Sequence, residues 1–248
     1  MRLAVWPVAP ARALGAALRG AGPVTEVAEV GPFEAAAAVR GGHADLALVP
    51  TLDVLRDPDA FALVPGVGLV GERCPTVRLA VAAPLDAVRT VAFDPRYAQE
   101  VLLTQLLLRE HYGGEPAFVP ADPAAPLAER LAGRDAALVA PEEPVGEGVT
   151  VLDLGQEWAE LTLRPMVWGL VAARAGALDA ATARALADAV AALPPPDEAD
   201  AEARHYQLTL DGYALAGLDE LVNHLYYHRV LDDLPALPFV ELPDEEEE

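Results

Sequence analysis

Short, nearly continuous apolar runs alternate with helical patterns in this 248-residue chain, and the alternation starts over near residue 88. Buried runs of this kind suit parallel strands covered on both faces, which confines the chain to α/β architectures. Residues 3–6, 25–30 and 45–50 read as strands, with helices over 11–19 and 32–40 between them and Gly41-Gly42 closing the second helix. Two further β-like stretches, 63–70 and 77–82, lead to Pro84. A second cycle then runs through a strand at 90–93, a long helix at 97–112, a strand at 117–120, a helix at 126–131 and a strand at 135–140. Gly42-His43-Ala44-Asp45-Leu46-Ala47-Leu48-Val49-Pro50 compares with Gly133-Arg134-Asp135-Ala136-Ala137-Leu138-Val139-Ala140-Pro141, an internal repeat. The last third offers a short helix around Trp158, a strand at 166–172 and helices at 179–193 and 215–230, the last two separated by the acidic, proline-rich stretch 194–200. The expectation is two lobes of three-layer α/β/α build with an interlobe cleft. Residues 1–84 and 171–248 form one lobe and 85–170 the other, with the acidic tail 244–248 a solvated charge run.

Several chemistries fall away at once. The chain has no Ser, no Lys and no Ile, and Asn223 is its only Asn. A serine nucleophile, a Schiff-base lysine and a phosphate-loop lysine are therefore excluded. With 39 Asp and Glu against 17 Lys and Arg, the net charge of −22 opposes nucleic-acid phosphates and anionic lipid surfaces, so neither partner is expected. A single cysteine, Cys74, rules out an intramolecular disulfide, and its setting before Pro75 reads as a buried thiol. Met1-Arg2-Leu3-Ala4-Val5-Trp6-Pro7 reaches a proline too early for a secretory apolar segment, so a cytoplasmic protein is expected. His224 and His228 share a helix face, but no third ligand is signalled, and no metal site is assigned. The adjacent acids Glu142-Glu143 and Asp232-Asp233 read as solvated surface.

Open α/β sheets bind ligands beyond the carboxyl ends of their strands, which singles out residues 6–10, Thr51, residues 94–99 and Pro141-Glu142. Thr51 and Gln99 carry groups that hydrogen-bond a carboxylate or hydroxyl. Arg96 precedes a helix whose first amides favour an anion.

The octapeptide Ala44-Asp45-Leu46-Ala47-Leu48-Val49-Pro50-Thr51, the helix after Phe93-Asp94 and the segment Asp153-Leu154-Gly155-Gln156-Glu157-Trp158-Ala159-Glu160-Leu161-Thr162 carry a resemblance, as do Pro165-Met166-Val167-Trp168 and the ending Leu234-Pro235-Ala236-Leu237-Pro238-Phe239. Together they resemble the chorismate dehydratase family of the futalosine route to menaquinone. The resemblance runs in order over nearly the whole chain. It implies a type 2 periplasmic-binding-protein-like fold, no cofactor, and a small anionic substrate, chorismate. It also implies substrate-binding roles for Thr76, where the family has Ser, and for Trp158 and Thr162 beside Thr51, Arg96 and Gln99. This chain departs from the family at three places: the usual Ser-Tyr-Leu-Asn turn is Trp6-Pro7-Val8-Ala9, the Ser-Arg-Thr-Ser run is Tyr97-Ala98-Gln99-Glu100, and a Gly-Asp is Ala140-Pro141. Scaffold residues match better than site residues. A second reading is therefore a non-catalytic module for small carboxylates, or a redesigned scaffold that has lost the activity.

Overall fold

A computed structural model describes residues 1–20, 22–194 and 203–243. The acidic tail and most of the proline-rich stretch between the last two helices lie outside the described residues. In chain order the first elements are β1 (Arg2–Val5), α1 (Ala9–Gly20), β2 (Glu26–Glu29), α2 (Pro32–Arg40), β3 (Leu46–Pro50), α3 (Thr51–Arg56) and β4 (Phe61–Gly71). There follow β5 (Arg78–Val81), β6 (Thr90–Phe93), α4 (Ala98–Glu110), β7 (Ala117–Pro120), α5 (Leu127–Arg130), β8 (Ala136–Val139), β9 (Thr150–Leu152) and α6 (Leu154–Thr162). The last are β10 (Met166–Arg174), α7 (Ala180–Ala191), β11 (Tyr206–Thr209) and α8 (Gly212–Tyr227).

The chain divides into two compact units, one of Met1–Gly71 with Met166–Glu248 and the other of Glu72–Pro165. In the first, the sheet order is β11-β4-β10-β3-β1-β2. β1 pairs in parallel with β2 and β3, while β10 runs antiparallel to both β3 and β4. Every residue of β3 is buried, as expected of a strand flanked on both sides and covered on both faces. Its Ala47 and Val49 join Leu63, Val167, Leu170 and Leu218 in the core of this unit.

The second unit has the order β7-β6-β8-β5-β9, with β6 parallel to β7 and β8, and β5 antiparallel to β8 and β9. Its core is built on Ala80, Ala92, Ala137 and Val139. Each unit thus sets the first of its three parallel strands between the other two and backs the third of them with an antiparallel strand. The repeat seen in sequence falls on β3 and β8, and a shared contact marks it. Asp45 accepts the amide of Arg2 at 2.6 Å, and Asp135 accepts those of Arg89 and Thr90, both at 2.9 Å. In each unit an aspartate before the third strand fastens the start of the central one. Matching these aspartates shifts the sequence alignment by one residue, because the turn after Gly133 is shorter than that after Gly42.

The dividing points differ from those read in sequence. β5 pairs only within the second sheet, so the first division precedes it at 71/72 rather than 84/85. β10 is a continuous strand of the first sheet, which moves the second from 170/171 to 165/166.

Candidate functional site

In the second unit, α4 leaves the carboxyl end of β6, the strand lying between its two parallel partners. The turn between them holds Asp94 and Arg96. Arg96 donates from Nε and Nη2 to the Asp94 carboxylate, at 2.9 and 2.6 Å to Oδ2, and its backbone amide donates to Oδ1 at 3.0 Å. Burial is the largest single influence on Asp94 and pushes its pKa up, but the hydrogen bonds and charge of Arg96 together outweigh it and hold the carboxyl below its ordinary range. The Arg96 side chain is half exposed and its charge is balanced by Asp94.

Gln99 and Glu100, in the first turn of α4, are both buried. The Thr76 hydroxyl donates to Glu100 Oε1 at 2.6 Å, and Cys74 Sγ lies 3.4 Å from Thr76 Oγ1. Burial and the Glu100 charge push the Cys74 thiol far up, and burial with the Glu100 and Asp94 charges raises Tyr97. Thr76 and Gln99, singled out separately in sequence, therefore stand at one helix start. Glu100 was passed over there, because an acid in the first turn of a helix reads as an ordinary partner of the helix dipole.

The Asp153-Leu154-Gly155-Gln156-Glu157-Trp158 segment forms the start of α6, and its side chains are committed to structure. Asp153 Oδ1 caps the helix by accepting the amides of Gly155 and Gln156, and it also accepts the amide of Cys74 at 2.9 Å. Glu157 accepts the Tyr112 hydroxyl at 2.5 Å, with His111 Nδ1 at 3.5 Å, which ties α6 to the end of α4. Burial, followed by the bond to Glu157, raises the Tyr112 pKa. Trp158 is fully buried. The Thr162 hydroxyl donates to the Trp158 carbonyl at 2.8 Å and accepts the amide of Arg164 at 3.2 Å, closing the helix before Leu163 turns left-handed at φ 58°. Arg130, also buried, donates to the Leu138 carbonyl at 2.9 Å and to Glu143, so that half of the acidic pair 142–143 is a partner of the sheet end.

Thr51 belongs to the first unit, at the start of α3 directly after β3. It is fully buried, and its hydroxyl donates to the Val167 carbonyl on β10 at 2.7 Å. Trp6 is buried as well, its indole N–H donating to the Leu48 carbonyl at 2.7 Å. On α8, His224 pairs with Glu220 at 3.3 Å and its ring stacks 6.4 Å from that of His228. Among the described residues, no group of three or more His, Cys, Asp or Glu is placed to hold a metal ion.

A family model described as menaquinone biosynthesis matches residues 1–227. No curated protein matches the sequence significantly. Among solved structures, the protein AF1704 of Archaeoglobus fulgidus is 21% identical with a TM-score of 0.60, over 93% of this chain and 98% of that one. The periplasmic aliphatic sulphonate binding protein SsuA of Escherichia coli is 16% identical with a TM-score of 0.53, over 96% and 94% of the two chains. The alkanesulfonate-binding protein SsuA of Xanthomonas axonopodis pv. citri, bound to MOPS, is 16% identical with a TM-score of 0.54, over 95% and 94%. The fold is that of the type 2 periplasmic binding proteins.

Proposed function

The chain belongs to the menaquinone-biosynthesis family, and from that premise we propose that it is a carbon–oxygen lyase that dehydrates chorismate to 3-[(1-carboxyvinyl)oxy]benzoate. The observation that carries the reading is the meeting of Thr76 with the first turn of α4, where Gln99 is buried beside Glu100. That turn adds backbone amides to a polar cluster at the carboxyl end of a parallel strand, the place where α/β sheets take ligands.

The reaction removes one ring hydrogen and the neighbouring hydroxyl, and aromatisation drives it. The protein's tasks are then to hold the dianion, exclude water and assist the proton's departure. Gln99 supplies an amide donor for orientation and the first amides of α4 supply positive potential, which a substrate dianion needs in a chain of net charge −22. Incubating the protein with chorismate and following the benzoate product by chromatography tests the proposal. Turnover above buffer supports it, and none rejects it.

The replaced residues Ala9 and Tyr97 favour a second reading, a binding module for small carboxylates on the same fold. Thermal shift separates the two, since a ligand at a hundredfold excess over its Kd stabilises by about 2.7 kcal/mol. Stabilisation by other carboxylates and none by chorismate favours the module. No shift with any ligand favours a scaffold without the activity.

A further inference from the structure

We propose that the cavity between α1, α7 and β11 is a second small-molecule site, suited to an uncharged, largely apolar ring compound; it lies wholly in the first unit and is independent of the dehydratase reading. Its volume of about 420 Å³ falls within the range of ligand pockets, about 300 to 1,000 Å³. Pro10 and Ala13 of α1 form one side, Val190 of α7 and Leu193 just past its end another, and Tyr206 and Leu208 of the edge strand β11 a third. The Tyr206 ring is held against the neighbouring strand: a Cβ at Gly71, its register partner on β4, would lie 2.6 Å from Cδ1. That wall is fixed before any ligand arrives, and a preformed site loses less binding free energy to ordering.

Charge selects the occupant. None of the eleven lining residues is acidic or basic, although 23% of the chain is charged. Two other hollows differ: the one beside α1 and β2 holds Arg12, Arg19 and Glu29, and the one beside α5 holds Glu143 and Glu147. An ionic ligand between α1, α7 and β11 would lose its hydration and meet no countercharge in the lining. An apolar one would instead cover Leu193, a large apolar side chain left 37% exposed. Gln207 supplies a polar contact. Its amide nitrogen donates to the Thr209 carbonyl at 3.0 Å, which orients the group, and its oxygen is an acceptor for one N–H or O–H of the ligand.

The walls come from distant parts of the sequence, α1 near one end and α7 and β11 near the other. A ligand that bridges them favours the folded unit by mass action and raises its Tm. It also touches Pro10 in the first turn of α1, directly after the turn that leaves the carboxyl end of β1.

The probe is N-phenyl-1-naphthylamine, an uncharged ring compound with one N–H whose fluorescence rises in apolar surroundings. Its sulfonated derivative, 8-anilinonaphthalene-1-sulfonate, is the charged counterpart. Titrated into the full chain, the uncharged probe should saturate at one equivalent and raise Tm, and the sulfonate should bind at least about tenfold more weakly. A13F puts a ring into the cavity from an exposed position of α1 and should weaken binding at least about tenfold. A16F, exposed on the same helix but lining the hollow with Arg12, should leave it unchanged. Equal affinity in A13F and wild type overturns the site, as do an equal loss in A16F and the absence of saturable binding by the wild type. Tighter binding of the sulfonate overturns the uncharged class. Should A13F fail to fold, L193E decides: a charge at the rim should weaken the uncharged probe about tenfold, and an unchanged affinity overturns the proposal.

Discussion

Gly155 packs so closely on Arg73 that a methyl group at position 155 would lie 2.6 Å from the N, Cα and C atoms of Arg73. The neighbour is backbone, pinned nearby by the amide of Cys74 on Asp153, so it cannot swing aside. G155A should therefore destabilise the protein by about 1–3 kcal/mol, a loss of several degrees in Tm. G20A, at the open end of α1 with nothing within 4 Å of the new methyl, should change stability by less than about 0.5 kcal/mol. Equal melting of the two variants would show that the contact at Arg73 can relax.

The motif around Gly155 shows how far the sequence carries a reader. Asp153, Gly155, Glu157 and Trp158 are the most specific part of the resemblance, yet the first three serve the capping and docking of α6 within its own unit, and Trp158 is fully buried. Strand and helix order was legible because buried runs and helical periodicity are local signals. β11 escaped notice, since Tyr206-Gln207-Leu208-Thr209 is a short edge strand, mostly half-buried, with no apolar run. Glu100 escaped for a different reason. Nothing local separates it from any other acid in a helix's first turn, and only the contact with Thr76 does.

The Asp94–Arg96 pair fixes a pH dependence. Asp94 has a folded-state pKa below its ordinary 3.8, so its contribution to stability is present above that value and is lost as pH falls through the folded pKa. R96Q removes the guanidinium charge and its paired donors and leaves burial, which raises the carboxyl. The stability difference between wild type and R96Q should then be largest near neutral pH and shrink below about pH 4. Urea titrations of both proteins at pH 7 and pH 3 measure it. A difference that grows on acidification would contradict the pairing.

Cys74 is expected to be inert in the native protein. Its thiol is buried, and burial followed by the Glu100 charge opposes formation of the thiolate, the species that reacts. Iodoacetamide at pH 8 should alkylate the folded chain at least about a hundredfold more slowly than the chain in denaturant. Mass spectrometry over a time course reads the rate, and labelling of the native chain at the unfolded rate would refute the burial.

Thr51 was singled out for substrate, and the structure gives its hydroxyl a partner inside its own unit. The proton is donated to Val167 O at 2.7 Å, where the side chain is fully buried. A hydroxyl has one proton to give and that one is in use, so what Thr51 retains is acceptor capacity, the wrong polarity for a carboxylate. T51V keeps the shape, removes the donor and leaves the Val167 carbonyl unsatisfied, which should cost about 1–3 kcal/mol. T51S should lose much less, because the donor is retained. A structural hydroxyl predicts a lowered Tm for T51V with an unchanged thermal response to chorismate in the protein that remains folded. The reverse, an unchanged Tm and a lost response, would return Thr51 to the substrate and show that the bond to Val167 can be exchanged on binding.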